Sequence, residues 1–483
     1  MNATSHDTTN WAALPVLLAG AFMVVLDFFI VNVALPSIAT DLGAGDSSLE
    51  WIVAGYGLTF AAFLITAGRL GDDLGRRRVY AIGLALFTIA SAACGLAPSP
   101  TTLIVARIAQ GVAGAIVMPQ VLAILGVTYR GPDYVRAMSF YGMALGLAAV
   151  GGQLVGGALV DADVAGLGWR SCFLINVPIG LVALALAPRL VPESRAERRK
   201  RIDVLGAAIV AVGLTAILLP LIEGRELGWP AWTLASLAAA PVLLSAFVLR
   251  QHRLADSGGD PLLELALFRE RGFSAGIATQ LFLATAQASF FVFLAIYLQL
   301  GRGLTALEAG LVFTILAVAY VATSGPAPGL TQRYGRLVVA AGGAALTLGL
   351  ALLALAVSEI GTSGSLLALV PGLALAGAGI GLCFTPLTST VLANVEPALA
   401  GSAAGAMSTT TQVGYALGVA ITGLIFFGVH GIAHAFELSL IQLAAVSAGI
   451  VGMARLLPGN KTNVTQAQQI ADTVVETAWS APA

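Results

Sequence analysis

Asp27 is the residue whose chemistry most demands a task. It stands in the run Leu26-Asp27-Phe28-Phe29-Ile30-Val31-Asn32-Val33-Ala34-Leu35-Pro36, inside the first of many long apolar stretches. An ionisable side chain at membrane depth costs about 2.5–3.5 kcal/mol on insertion scales, so it calls for a function or a partner. A carboxyl there can bind and release a proton, and that exchange can drive transport. The alternative is an acid neutralised by a fixed partner, and the two readings are compatible. Arg107 is the natural partner. At 1.5 Å per residue, Asp27 lies about 20 Å above the start of its helix, and Arg107 about 8 Å below the opposite start of its own. In an apolar core about 30 Å thick the two levels nearly coincide. Burial disfavours an Asp charge and a nearby cation favours it, so moving Arg107 or a substrate would switch proton affinity. A static ion pair holding the two helices together is the bland alternative.

The chain that must position these residues is 58% hydrophobic and 10% charged, with a mean hydropathy of +0.90. Soluble domains carry about 25% charged residues, so the composition defines an integral membrane protein. Cys94, Cys172 and Cys383 lie far apart in apolar segments and read as packing residues, with no disulfide or metal site. The first ten residues are polar without a basic cluster, and no cleavage-type sequence follows the first apolar run, which is expected to be retained as a helix. A membrane-embedded enzyme would need a catalytic set. There is no His-Glu-x-x-His, no Gly-x-Ser-x-Gly, no paired cysteines and no histidine within a span, so an enzyme is not expected and no cofactor is implied.

Runs of about 20 apolar residues, the length that crosses the core, begin near residues 13, 50, 79, 102, 137, 172, 204, 232, 273, 308, 337, 365, 401 and 437. Fourteen spans put both termini on one side. Placing that side inside gathers 20 of the 24 basic residues in inner loops, Arg69, Arg76, Arg77 and Arg78 first among them. The outer loop after the first span carries Asp41, Asp46 and Glu50 and no basic residue. Both ends are therefore expected in the cytoplasm.

The chain also repeats weakly. Leu70, Gly75 and Arg76 pair with Leu330, Gly335 and Arg336 at one constant offset, in loops that follow the second and tenth spans. Two six-helix halves, with spans 7 and 8 inserted between them, explain the offset, and internal repeats are habitual in secondary transporters. The expected organisation is an N-terminus over 1–12, a six-helix bundle over 13–190 and a basic linker over 191–203. Two inserted helices over 204–250, a loop over 251–272, a second bundle over 273–457 and a polar tail over 458–483 complete it.

Five segments in fixed order then carry a resemblance. They are the Asp27 run; Trp51-Ile52-Val53-Ala54-Gly55-Tyr56 with the Gly68–Arg78 loop; Arg107-Ile108-Ala109-Gln110-Gly111; Trp169 to Gly180; and Tyr297-Leu298-Gln299 with Ala309-Gly310-Leu311. Together they resemble the major facilitator superfamily, in its fourteen-helix drug:proton antiporter family, from Leu14 to Leu457. The resemblance implies an all-α membrane protein with two six-helix bundles plus two extra central helices. It also implies a conformational gate at Gly68, Asp72, Gly75, Arg76 and Arg77. There Asp72 would bond to Arg76 and to the start of helix 13 near Gly401, a carboxylate at a helix N-terminus being favourable by about 0.3–1 kcal/mol. The alternative is that the arginines serve topology alone.

The fifth span holds the packing motif Gly151, Gly152, Gln153, Gly156 and Gly157, whose glycines let helices approach and bend. The family's antiporter motif has Gly-Pro before its Gly-Gly pair, and Gly152-Gln153 stands here instead. That departure weakens the inference of antiport, and Gln153 is a candidate polar contact in a cavity. Gly377, Gly379 and Gly381 lie in an apolar helix with no preceding strand and are read as helix packing, not a dinucleotide fingerprint. Candidate substrate residues are Asn32, Gln110, Tyr141, Gln280, Gln287, Phe290, Phe291 and Gln412, polar and aromatic groups suited as a set to amphipathic molecules. The second half offers no obvious intramembrane acid, which favours neutral or monocationic compounds over dications.

The sequence thus reads as a monomeric proton-coupled exporter of amphipathic drugs or natural products in the cell membrane, without nucleic-acid partners. A proton-coupled importer or a lipid or metabolite carrier on the same fold is the nearest rival. A non-transporting scaffold would leave Asp27 unexplained.

Overall fold

A computed structural model describes residues 11–195, 203–392, 395 and 399–457. Part of the basic linker (196–202) and the polar tail from 458 lie outside the described residues. The long helices are α1 Ala13–Leu42, α2 Asp46–Leu74, α3 Arg76–Gly95, α4 Pro100–Thr128, α5 Gly131–Ala162, α6 Asn176–Leu190 and α7 Val204–Glu226. They continue as α8 Ala231–Asp256, α9 Arg271–Ile296, α10 Ala306–Ser324, α11 Leu337–Ile360, α12 Val370–Leu392, α13 Ala400–Phe426 and α14 Ile432–Ala454. Among the described residues thirteen helices are long and apolar enough to span a membrane. The fourteenth is α5, bent by 42° between its Arg136–Ala149 and Gly151–Ala162 stretches.

Local chemistry sets several helix ends. Ser99 caps α4 by accepting from Thr102 N–H at 3.3 Å, with Pro100 at the first helical position. Thr305 and Glu308 form a reciprocal capping box on α10. Gly75, at φ +107°, makes the sharp turn between α2 and α3 that a residue with a Cβ resists, and Gly335, at φ +57°, makes its counterpart before α11. A similar tie follows each turn, though from positions one residue apart in the repeat. Arg77 donates to the carbonyls of Pro188 and Val191 at the end of α6, and Arg336 to those of Arg455 and Leu457 at the end of α14. Each half therefore ties its third helix to its last.

The first six helices and the last six form two bundles that meet along α2–α13 and α5–α10. The first inserted helix, α7, lies over the α2–α13 seam, where Leu214, Leu218 and Ile222 pack on Ala54, Leu58, Ala416 and Ala420. The second, α8, rests on α7. At its base Asp203 ties the pair together. Burial opposes the Asp203 charge, but hydrogen bonds from Arg250, the Gly206 N–H and Gln251 outweigh it and hold the carboxyl below its ordinary value. Gly377 and Gly381 lie against α10 carbonyls and Gly379 against the α11 backbone, so the glycine triplet of α12 serves helix packing.

Trp11 packs tilted against Tyr129 and faces Arg136, while Arg336 holds Arg455 and Leu457. Both ends of the described chain thus lie at the arginine-rich end, here termed the inner end.

Candidate functional site

Asp27 is fully buried inside the first bundle, where α4 and α6 bring polar groups onto it and α3 braces them. Arg107 of α4 forms a close ion pair with Oδ2. Gln110 Nε2 donates to Oδ1 at 2.8 Å, and Asn176 Nδ2 of α6 donates to the same oxygen at 2.9 Å. Ser91 Oγ of α3 accepts from both amides, at 3.1 and 2.9 Å, and donates to the Phe173 carbonyl. Arg107 also donates through Nε to the Ile52 carbonyl at 3.0 Å and through Nη1 to Gln110 Oε1 at 2.8 Å. Its guanidinium lies over the Tyr56 ring at 4.3 Å, a contact that favours a cation away from water. Asp27 and Arg107 are thus brought together, with each charge neutralised in place.

A cavity of about 720 Å³ lies between the bundles. Phe28, Phe29, Phe291 and Tyr415 form its aromatic roof, with Phe28 stacked on Tyr415 across the two halves at 4.8 Å. Gln153, Gln287, Thr411 and Gln412 supply polar groups, and the cavity runs down to Gly68, Arg69, Asp72 and Arg76 at the inner end. Of the expected substrate residues, Tyr141, Gln287, Phe291 and Gln412 line it. Asn32, Gln110, Gln280 and Phe290 do not; each is buried in helix packing. Gln110 belongs to the Asp27 network, and Gln280 stands behind the wall, donating to Thr411 at 2.9 Å.

Beyond the roof the outer end is closed. Gln299, in the π-helical turn that ends α9, donates to the Val33 carbonyl of α1 at 2.8 Å. The Asp161 carboxylate of α5 accepts from the N–H groups of Ala306 and Leu307, the first residues of α10. In the packing motif Gly152 and Gly156 abut α1, and a Cβ on Gly157 would stand 2.4 Å from the Ala306 carbonyl of the other half. Gly151, expected to pack, has open space beside it and sits where α5 bends. Gln153 donates to the Phe29 carbonyl at 3.0 Å, so it faces the cavity and also ties α5 to α1.

In the expected gate, Arg76 pairs with Asp72 at 2.8 Å and Arg77 with Glu193 at 3.7 Å, while Gly68 lines the mouth of the cavity. The expected contact of Asp72 near Gly401 lies outside what is described. Arg69 donates to the backbone carbonyls of Asp260 and Pro261, drawing the loop between α8 and α9 beneath the bundle.

Sequence reasoning missed Ser91, Asn176, Asp161 and Gln299. Asn176 and Gln299 stood in segments that carried the resemblance but were given no role there, and Gln110, expected at the substrate, shares the face of Arg107 three residues before it on the helix.

Two helical bundles closed at one end around a central cavity, with a buried charge pair in one of them, define a membrane transporter rather than an enzyme. A family model of the Major Facilitator Superfamily matches residues 17–419, and the chain belongs to that superfamily. It is 38% identical over 458 residues to a probable actinorhodin transporter of Streptomyces coelicolor, covering 93% of this chain and 79% of that one. Identity to the tetracenomycin C resistance and export protein of Streptomyces glaucescens is 33%, over 86% and 76% of the two chains. A D-xylose-proton symporter shares the fold with a TM-score of 0.67 over 94% of this chain and 99% of that one, at 15% identity.

Proposed function

We propose that the chain is a monomeric proton-coupled exporter of amphipathic drugs or natural products, working by alternating access in the cytoplasmic membrane with its inner end in the cytoplasm. Sidedness rests on the concentration of arginine in the inner loops. Export of this substrate class is supported by relatives named as a probable actinorhodin transporter and a tetracenomycin C resistance and export protein, and by a cavity whose aromatic roof and glutamine walls suit such molecules.

The observation that carries proton coupling is the placement of Asp27 one residue from the cavity but not in it. Phe28 and Phe29 line the cavity, and Asp27 points from the same turn of α1 into the bundle. A proton on Asp27 would leave the Arg107 guanidinium buried without its counter-charge, a change that costs about 3–5 kcal/mol when one partner of a buried pair is lost. Protonation therefore requires the α1–α4 packing to shift, and α1 carries that shift to the roof. Substrate and proton communicate through α1 instead of displacing each other. Entry of one proton is worth about 2.3 kcal/mol per 100 mV, or roughly fifty-fold in concentration if one net charge crosses. A monocation exchanged for one proton would draw on the pH difference alone.

The test is proton release on adding amphipathic compounds to purified protein, with Asp27→Asn beside the wild type. Release that vanishes in the variant supports the reading. Binding without release, or release indifferent to Asp27, moves coupling elsewhere. One observation favours a second reading, a proton-coupled importer or metabolite carrier: Gln153 occupies the position where the exporter motif has proline and bonds to α1.

A further inference from the structure

Glu50 is a buried acid that neither the Asp27 network nor the cavity uses. It lies in the second turn of α2 at the outer end and is only 3% exposed, and its Oε2 is enclosed without a hydrogen-bond partner. Its carboxyl crosses the seam between the two halves. A Cβ on Gly423 of α13 would stand 2.5 Å from Oε1 and 2.8 Å from Oε2, so only glycine admits the carboxyl there. Below it the seam is apolar: Ala54 and Leu58 of α2, Ala416 and Ala420 of α13, and Ile222 of α7.

The charged groups around Glu50 are Asp46 on its own helix and Glu223, Arg225 and Glu226 on α7; α13 carries no charged residue. Each of the other acids has a donor. Arg225 serves Asp46 at 3.4 Å, Trp51 Nε1 serves Glu223 at 2.8 Å, and the Ser47 N–H and hydroxyl serve the two oxygens of Glu226 at 2.9 Å. Arg225 also donates to the Phe427 carbonyl. With Oε2 enclosed and no donor bonded to it, the ionised carboxylate is disfavoured relative to the neutral acid. Among the described residues no group of three acids or other ligands is close enough to hold a metal ion, so the fitting ligand is a proton.

We propose that Glu50 is a proton-binding carboxyl of the outer gate, loaded from the outer side as α2 and α13 close on one another. Acid outside then favours the outer-closed, inner-open state, resetting the transporter after substrate has left. The proton returns outward when the seam reopens. The inference rests on alternating access with this end outside, and not on Asp27 as the coupling site.

The test uses the full chain in lipid nanodiscs with spin labels at Gly45→Cys and His430→Cys, both exposed at the outer end. Distances across the gate are read against pH, in the native and Asp27→Asn backgrounds. With Glu50 present, the closed-to-open ratio should rise as pH falls by up to about tenfold per pH unit, the limit for one linked proton. With Glu50→Gln the gate should stay closed and the pH slope should vanish in both backgrounds. A slope that survives Glu50→Gln overturns the proposal, as does closure driven by sodium at fixed pH. Gly423→Ala displaces the carboxyl without removing it and carries the test if Glu50→Gln does not fold. It should hold the gate open, and a normal closed population with the normal slope would equally overturn the proposal. A chain that expels no compound yet keeps a Glu50-dependent slope would sink the exporter reading alone.

Discussion

The buried pair offers the sharpest perturbation, because neutralising one charge and neutralising both have opposite consequences. Asp27→Asn leaves Arg107 with the Ile52 carbonyl and Gln110 but with no negative charge in reach. At an effective dielectric of about 20, two charges about 4 Å apart are worth roughly 4 kcal/mol. Loss of one partner from a buried pair costs about 3–5 kcal/mol, in agreement. Asp27→Asn and Arg107→Gln should therefore each destabilise the detergent-solubilised protein by that amount. The double variant keeps amides in place of both charges and should lose far less than the sum. Denaturant unfolding of all four proteins gives the coupling energy directly. The decisive comparison adds transport into vesicles. If the pair is a proton switch, the double variant regains stability but accumulates nothing against a gradient, while still equilibrating substrate. Uphill transport by a stable double variant would refute the switch and leave Asp27 and Arg107 as a static tie between α1 and α4.

Further outcomes follow from the outer end, the roof and the inserted pair. Gly157→Leu should drive the halves apart at Ala306 and shift the population outward-open, read as increased labelling of cysteines placed along the α5–α10 contact. Asp161→Asn, losing a carboxylate at a helix N-terminus worth about 0.3–1 kcal/mol, should shift the same equilibrium by roughly two- to five-fold in that direction. Tyr415→Ala removes the stack on Phe28 and should weaken binding of aromatic compounds by up to about tenfold, the worth of an aromatic pair, in a fluorescence binding titration. The Asp203 carboxyl is held below its usual 3.8. Its contribution is thus fully present above that value and lost as pH falls below it through the folded-state value. Hydrogen exchange at the base of α7 should accelerate in that acid range, and Asp203→Asn should give fast exchange at neutral pH.

Asp27 and Arg107 were legible because a charge within an apolar run has few explanations, and helical rise fixes its depth. The gate turn was legible from its glycines and the repeated Arg76 and Arg336. Asn176 and Ser91 were not, because a neutral polar residue in a helix buried on all sides leaves no pattern showing which face it occupies. The same ambiguity sent Asn32 and Phe290 to the cavity in expectation and into packing in the structure. Spacing showed that Gly152, Gly156 and Gly157 would be approached closely. It could not show that the first two meet α1 and the third meets α10, since the partner of a glycine is written in another helix. Glu50 sat in a loop-like acidic stretch by hydropathy, and only the docking of α7 and α13 encloses it.

The inserted pair makes the two sides of the molecule unequal. The bundles meet along two seams, and α7 lies over the one at α2–α13. Among the described residues no inserted helix covers the α5–α10 seam, which closes on its own glycines, Gly157 against Ala306 and Gly310 against Gln153. Opening along one seam must therefore carry two further helices with it, whereas opening along the other moves only the bundles themselves.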